Sequence, residues 1–231
     1  LGIGLPARNP IQFIQENGWA EAQAADTVQF PVNLGQDAGA QPQEMYYMGA
    51  VTRLLQPRAV FEIGTFNGRM TAVFILNAPP DSTIYSLDLP PQTENDEFTG
   101  KDYIKTDIKL VQKRTIGGFV RDLKLESRYT QLLANSMEFD PRPYENSIEL
   151  AFIDGAHSYP YVRNDTIKTA RMVRDRSLVF WHDYGGRGDF APLSRYLEFL
   201  HASNVSLYRI PGTTLAWTSG RELKKVLTIK D

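Results

Sequence analysis

The sequence predicts an α/β protein built on a mostly parallel sheet covered by helices, and three observations carry that reading. Short apolar runs rich in β-formers alternate with stretches of helical periodicity. The run Ala59 to Ile63 breaks at Gly64, meets a second glycine at Gly68, and gives way to a helix-compatible run from Met70, which reads as strand, tight turn and helix. Four of the apolar runs end in polar or acidic residues, as parallel strands do at the edge where ligands bind.

Composition bounds the rest. With 231 residues, of which 42% are hydrophobic, the chain can bury one substantial core, and one domain with extensions is the expectation. A formal charge of -2 with interspersed signs gives no reason to expect a nucleic acid partner, and Lys224-Lys225 reads as a solvated face. No apolar run approaches the roughly 20 residues needed to span a membrane. The absence of cysteine excludes disulfides, cysteine nucleophiles and thiolate metal sites. The chain begins at Leu1 without a methionine, as a trimmed sequence would, so a targeting segment is not judged from it.

Residues 1–43 are punctuated by Pro6, Pro10, Pro31, Pro42 and several glycines, and read as an irregular arm with one short helix over Pro10 to Asn17. Phe13, Trp19, Phe30 and Val32 argue that the arm lies on the main domain or reaches a neighbouring subunit. Residues 44–231 form the expected main domain. Glu44 to Gln56 has helical spacing and stops at Pro57, and the first strand follows directly. Met70 to Asn77 reads as a helix, Thr83 to Leu87 as the second strand. The polar span 90–126, with a helix around Tyr103 to Arg114, is long for a connection in a parallel α/β unit and is expected to be an insertion or lid. Tyr129 to Ala134 and Ile148 to Ile153 are the third and fourth strands, Val162 to Val173 a helix, and Ser177 to Trp181 the fifth strand. Ala191 to Ala202 is helical, with Pro192 in its first turn. Val205 to Ile210 and Thr213 to Trp217 read as a closing hairpin about Pro211-Gly212.

The four strand ends offer Glu62 with its glycine turn, Asp88, Asp154 to His157, and His182 to Tyr184. An ionised Asp88 would accept hydrogen bonds from a ribose diol, in a nicotinamide or another adenosine-containing cofactor. The first turn reads Glu62-x-Gly64-x-x-x-Gly68 and not G-x-G-x-x-G, which argues against NAD(P). His157 and His182 are each able to take a proton from a substrate hydroxyl near neutral pH. Asp154, Asp183 and His182 read equally as holders of a divalent cation, magnesium or manganese by their oxygen content, with one imidazole leaving other metals open. His182 also reads as a buried hydrogen-bonded ring with Asp183 capping a loop, and His201 as a helix-end residue. Tyr159, Tyr161 and Tyr184 are cavity or core residues. Ser136 is an adenine contact or a helix cap, and Arg69 and Arg163 read as partners of acidic groups.

Phe61-Glu62-Ile63-Gly64-Thr65-Phe66-Asn67-Gly68, Ser86-Leu87-Asp88-Leu89-Pro90, Phe152-Ile153-Asp154-Gly155-Ala156-His157-Ser158-Tyr159 and Trp181-His182-Asp183-Tyr184-Gly185 together resemble class I S-adenosylmethionine-dependent methyltransferases. More narrowly, they resemble the bacterial small-molecule branch of macrocin O-methyltransferase-like and cephalosporin hydroxylase-like proteins. The resemblance runs roughly from Glu44 to Ser219. It implies a Rossmann-like, seven-stranded sheet with an antiparallel last strand and helices on both faces. It also implies that Glu62, Gly64, Thr65, Phe66 and Gly68 surround the methionine and ribose of the cofactor, that Asp88 binds the ribose, and that Leu89 and Ser136 frame adenine. Asp154 would lie near the methyl group and, with His182 and Asp183, at cation-ligand positions, while His157 would be the general base. The departure is His182, where metal-dependent relatives carry an oxygen ligand. The implied activity is methyl transfer from S-adenosylmethionine to a hydroxyl of a small molecule, in a cytoplasmic protein for which the arm makes a homodimer reasonable. Adenosyl-ligand binding without catalysis is the alternative, and an NAD(P)-dependent oxidoreductase a more distant one.

Overall fold

A computed structural model describes residues 4–21, 27–31, 39–91 and 104–229. Its centre is a seven-stranded sheet of β1 (Ala59–Ile63), β2 (Thr83–Asp88), β3 (Thr130–Leu133), β4 (Ile148–Ile153), β5 (Val173–Trp181), β6 (Tyr208–Arg209) and β7 (Ala216–Ser219). The strand order is β3-β2-β1-β4-β5-β7-β6, and β7 alone runs antiparallel to its neighbours. The order reverses between β1 and β4, which is where α/β sheets open a crevice at the carboxyl ends of their strands. Register makes the strand ends coincide: Ile63 pairs with both Leu87 and Ile153, and Ile153 pairs with Trp181. Gly64, Asp88, Asp154 and His182 therefore follow at one level along one edge.

Alternation along the strands sends side chains to two core layers. Phe61, Ile63, Ala151, Ile153, Val179 and Trp181 pack on one face, which is covered by α6 (Tyr159–Met172) and α7 (Ala191–Ala202). Val60, Leu150, Phe152, Leu178 and Phe180 pack on the other, under α2 (Pro42–Leu55) and α3 (Arg69–Asn77). Burial on both faces is why these central strands read as near-continuous apolar runs. The helix α1 (Pro10–Glu16) is capped by Asn9, whose Oδ1 accepts from the amide of Ile11 at 2.9 Å, and buries Ile14 beneath the sheet's far edge.

Beyond shifts of one or two residues, several elements differ from expectation. The fifth strand begins at Val173, because Arg174, Asp175 and Arg176 continue it with solvent-exposed side chains where the pattern suggested a linker. Helix α6 starts at Tyr159, since Pro160 fits a first turn. The closing hairpin keeps only short strands, while Val205, Leu207 and Ile210 are core residues outside them. A last helix, α8 (Gly220–Leu223), capped by Ser219, was not anticipated.

The expected segment 90–126 lies partly outside the described residues. Its described part carries α4 (Lys105–Lys113) and α5 (Gly118–Asp122). Among the described residues no helix is long and apolar enough to cross a membrane.

Candidate active site

The crevice holds a cavity of about 360 Å³ at the carboxyl ends of β1, β2, β4 and β5. Of the residues singled out from sequence, Gly64, Phe66, Asp88, Leu89, Ser136, Asp154, His157, His182 and Asp183 line it. Gly64 is there for packing as well as access. Its φ is +100°, and a Cβ would stand 2.0 Å from the carbonyl oxygen of Asp154, so no other residue lets β1 and β4 end side by side. Phe66 is also left-handed, at φ 47°, and its amide donates to Asp88 Oδ2 at 2.8 Å. Asp88 further accepts from the amide of Leu89 at 2.7 Å and pairs with the Arg114 guanidinium at 3.1 Å. Burial pushes the Asp88 carboxyl above its ordinary range against the pull of Arg114 and both amides.

Three of the expected cofactor residues stand back from the cavity. Glu62 is fully buried beneath the turn, accepting from the hydroxyls of Thr71 and Ser86. Burial, with the neighbouring charges of Asp154 and Asp88, outweighs those bonds and raises its pKa to about 8. Thr65 links Ser86 to Gln131 in the same buried chain of hydrogen bonds. Gly68, left-handed at φ +81°, opens α3, and a Cβ there would meet Gly117 at 2.8 Å. Glu62, Thr65 and Gly68 are absent from the cavity wall, and their contacts lie with the strands and helix that carry the turn.

Two histidines and four carboxylates occupy the other end. His157 Nδ1 lies 2.8 Å from Asp107 Oδ1 and Nε2 lies 2.9 Å from Asp183 Oδ2, while Asp107 also accepts the His157 amide at 2.9 Å. Burial disfavours the charged ring, but the two carboxylates prevail and raise its pKa to about 10. The ring is an imidazolium at neutral pH in this geometry. His182 Nε2 lies 2.9 Å from Glu44 Oε2, and its Nδ1 lies 3.1 Å from Asp183 Oδ2 and 3.4 Å from Asp154 Oδ1. Asp183 adopts φ 65°, a left-handed turn that aims its carboxylate at both rings, and both hold it below the usual carboxylate range despite burial. Burial raises Asp154 against the pull of His182.

The donor set fits a divalent cation. Ligand atoms of Asp154, His182 and Asp183 all lie within 4.8 Å of one another, and His182 Nδ1 is buried without a hydrogen-bond partner. Two oxygens and one imidazole nitrogen match what first-row divalent ions accept.

Glu44, Asp107 and Arg114 were not identified from sequence as site residues. The available signal lay in α4 and its C-cap, where Asp107, Leu110, Val111 and Arg114 follow i, i+3, i+4, i+7 spacing and all line the cavity. Of the secondary candidates, Tyr161 lines the cavity, as do Gly39 and Gln41 from the end of the arm. Tyr184 accepts the Leu5 amide at 2.8 Å and pairs with Glu198, and Tyr159 is exposed against Tyr196. Arg69 stacks on Phe119, and His201 faces the Val205 carbonyl at its helix end. Ser136 is anchored through its carbonyl by Asn164 and Lys168.

A doubly wound sheet with one antiparallel strand, opening on an acidic, glycine-edged crevice, defines a protein of the Rossmann-like methyltransferase fold. Residues 61–184, more than half of the chain, match the methyltransferase domain, and the chain belongs to that family. No curated protein matches the sequence. Similar solved structures include cofactor-bound Rv0187 from MTB, at 15% identity and TM-score 0.56, covering 93% of this chain and 91% of that one. The S-adenosylhomocysteine-bound Podospora anserina methyltransferase PaMTH1 is similar at 11% identity and TM-score 0.55, with 78% of each chain covered. The O-methyltransferase TomG from Streptomyces achromogenes, solved with S-adenosylmethionine, is similar at 13% identity and TM-score 0.55, with 80% and 82% covered. At these identities the likeness establishes the fold.

Proposed function

We propose that the protein transfers a methyl group from S-adenosylmethionine to a hydroxyl of a small molecule. The observation that carries this reading is the alignment of the Gly64–Phe66 turn, Asp88 and Asp154 along one cavity wall. Asp88 would accept from the ribose hydroxyls, Leu89 and Ser136 would flank adenine, and the Gly64–Phe66 turn would receive the methionine part. Glu62, Thr65 and Gly68 would shape that turn from beneath. The acceptor oxygen attacks the sulfonium methyl, an O–C bond forms as the C–S bond breaks, and the sulfur keeps the electron pair as S-adenosylhomocysteine leaves. Holding the two reactants in line is where most of the rate would come from.

His157 is the proposed proton acceptor. Asp107 anchors Nδ1, which is how an orienting carboxylate sets a histidine base, and Nε2 is the nitrogen left for the acceptor hydroxyl. Asp183 occupies Nε2 in this geometry, so the base is masked until Asp183 lets go. Loss of that partner moves the ring's pKa down from about 10, toward the range in which it takes up a proton usefully. Asp154, His182 and Asp183 would hold a divalent cation. Such an ion, when bound, supplies Lewis-acid stabilisation of the developing alkoxide or phenolate.

Calorimetry with S-adenosylhomocysteine tests the reading. Wild-type protein binds it, and Asp88→Ala weakens binding by at least about tenfold, the size of one or two charge-assisted hydrogen bonds. Absence of binding by folded wild-type protein overturns the proposal. Adenosyl-ligand binding without catalysis draws support from the masked His157. Tight binding with no methyl transfer across a wide panel of hydroxyl acceptors, in wild type as in His157→Ala, would select that second reading.

A further inference from the structure

We propose that Glu44 is a positioning residue that makes His182 a nitrogen ligand, and that the Asp154–His182–Asp183 site therefore takes a first-row transition cation such as Mn²⁺, Co²⁺ or Zn²⁺ in preference to Mg²⁺. The inference rests on the cation site of the proposed function and specifies its chemistry. Glu44 stands in the first turn of α2 and is 1% exposed. Its Oε1 accepts from the Thr214 amide and hydroxyl, both at 2.8 Å, and its Oε2 accepts from the Gln41 amide at 2.8 Å. Every neighbour of this carboxylate is a donor, so the ring atom 2.9 Å from Oε2, His182 Nε2, must carry hydrogen.

That leaves Nδ1 facing Asp154 and Asp183. Neither oxygen forms an in-line hydrogen bond with Nδ1, although one is 3.1 Å and the other 3.4 Å away. Two ligands about 2.1 Å from one ion, at a right angle, stand about 3 Å apart with their lone pairs converging on the ion and not on each other. Separations of 3.1 and 3.4 Å from Nδ1, with no hydrogen bond formed, fit such an arrangement. His182 is 7% exposed, so water does not replace the missing partner freely. A carboxylate behind a ligating imidazole fixes its tautomer and makes it a better donor. Mg²⁺ keeps oxygen ligands and water, whereas Mn²⁺, Co²⁺ and Zn²⁺ accept imidazole, with affinity rising along the series. An imidazole held in place by a buried carboxylate therefore biases the site away from Mg²⁺.

The test is titration calorimetry of the chelator-treated full chain with Co²⁺, Zn²⁺, Mn²⁺ and Mg²⁺ separately, alongside S-adenosylhomocysteine. Co²⁺ and Zn²⁺ are expected to bind at least about tenfold more tightly than Mg²⁺. Glu44→Gln presents an amide NH₂ either to Thr214 or to His182, and is expected to lower Co²⁺ affinity about 10- to 100-fold. In a His182→Ala background the same substitution is expected to change nothing further, which a merely structural role for Glu44 would not produce. Thr214→Val removes one donor to Glu44 together with the acceptor of the Asp183 amide, and serves if Glu44→Gln does not fold. It lowers Co²⁺ affinity by a smaller factor, and the part of that loss absent in a His182→Ala background is the part carried by Glu44. Equal affinity for Mg²⁺ and Co²⁺, unchanged Co²⁺ affinity in the variant that folds, or no cation binding would overturn the inference. S-adenosylhomocysteine binding without cation binding sinks this inference alone. Cation binding of the expected order without S-adenosylhomocysteine binding supports it while removing the methyl-transfer reading.

Discussion

Glu62 sits in an environment far from what a carboxylate prefers. It is fully buried, one of its oxygens has no hydrogen-bond partner, and its pKa rises from 4.5 to about 8. A raised folded-state value means that its contribution to stability is complete below about pH 4.5 and is lost as the pH rises through about 8. Glu62→Gln keeps an acceptor for Thr71 and Ser86 and does not titrate. The melting temperature of the variant should therefore gain on wild type as pH goes from about 5 to about 8.5; a constant difference over that range would show that Glu62 does not titrate there. Glu62 was legible in the sequence as a strand-end acid, but not as a buried one. Strand β1 is covered on both faces, so Glu62 is buried by the strand's central place in the sheet, which the local sequence does not record. His157 was legible as a histidine beside an aspartate at a strand end. Its partner Asp107 lies 50 residues away, on a helix whose docking no local pattern records. His182 was legible too, but its pairing with Glu44, 138 residues away, was hidden for the same reason.

At the scale of elements, the sheet and the helix around Tyr103 to Arg114 were readable, but not which side chains of that helix meet the crevice. Central strands carry apolar runs because both their faces are buried, and the polar residues closing each run mark the edge where the sheet meets solvent. Helix α4 is amphipathic, with one covered stripe, and its spacing shows a face without showing what that face meets. That stripe carries charge at both ends: Asp107 binds His157, and Arg114 pairs with Asp88 and donates to the Leu89 carbonyl at 2.8 Å. The same helix thus engages both halves of the candidate site, and an exposed bond from Thr106 to Asp189 adds little. Asp107 is 5% exposed, and replacing it leaves the buried His157 Nδ1 and amide without their acceptor, with Asp183 the ring's remaining carboxylate. Asp107→Ala should destabilise the protein by about 3 kcal/mol, the usual size for breaking a buried pair. It should also quicken limited proteolysis between residues 104 and 114. If cleavage there and the unfolding midpoint both match wild type, the Asp107–His157 pair is not what holds α4 down.

The whole molecule separates the stabilising contacts of residues 4–19 from the chemistry of the crevice, which the end of the arm at Gly39 and Gln41 does reach. Residues 4–19 run along the edge of the sheet away from β3. Ala7 bridges Arg209 of β6 in parallel, the Arg209 amide donates to the Pro6 carbonyl at 2.9 Å, and Trp217 Nε1 donates to the Arg8 carbonyl at 3.0 Å. Phe13 packs edge-on against both Trp19 and the fully buried Trp217, and Ile14 is completely enclosed. The arm therefore pairs an edge strand of only two residues that would otherwise present free backbone groups. Removing residues 1–19 withdraws the burial of Leu5, Phe13, Ile14 and part of Trp19. At about 2 kcal/mol for each fully buried side chain and less for the others, the loss is about 5 kcal/mol, or roughly 10–20 °C in melting temperature for a chain of this size. Among the described residues, none of 4–21 lines the cavity, whereas Gly39, Gln41 and Glu44 do. The truncated protein, at a temperature where it remains folded, should thus bind S-adenosylhomocysteine with the wild-type affinity while associating through its uncovered β6 edge. A large loss of affinity with folding intact would mean that the arm reaches the crevice through contacts other than those of its described residues. A melting temperature close to wild type would mean that the edge and Trp217 are stable without their cover.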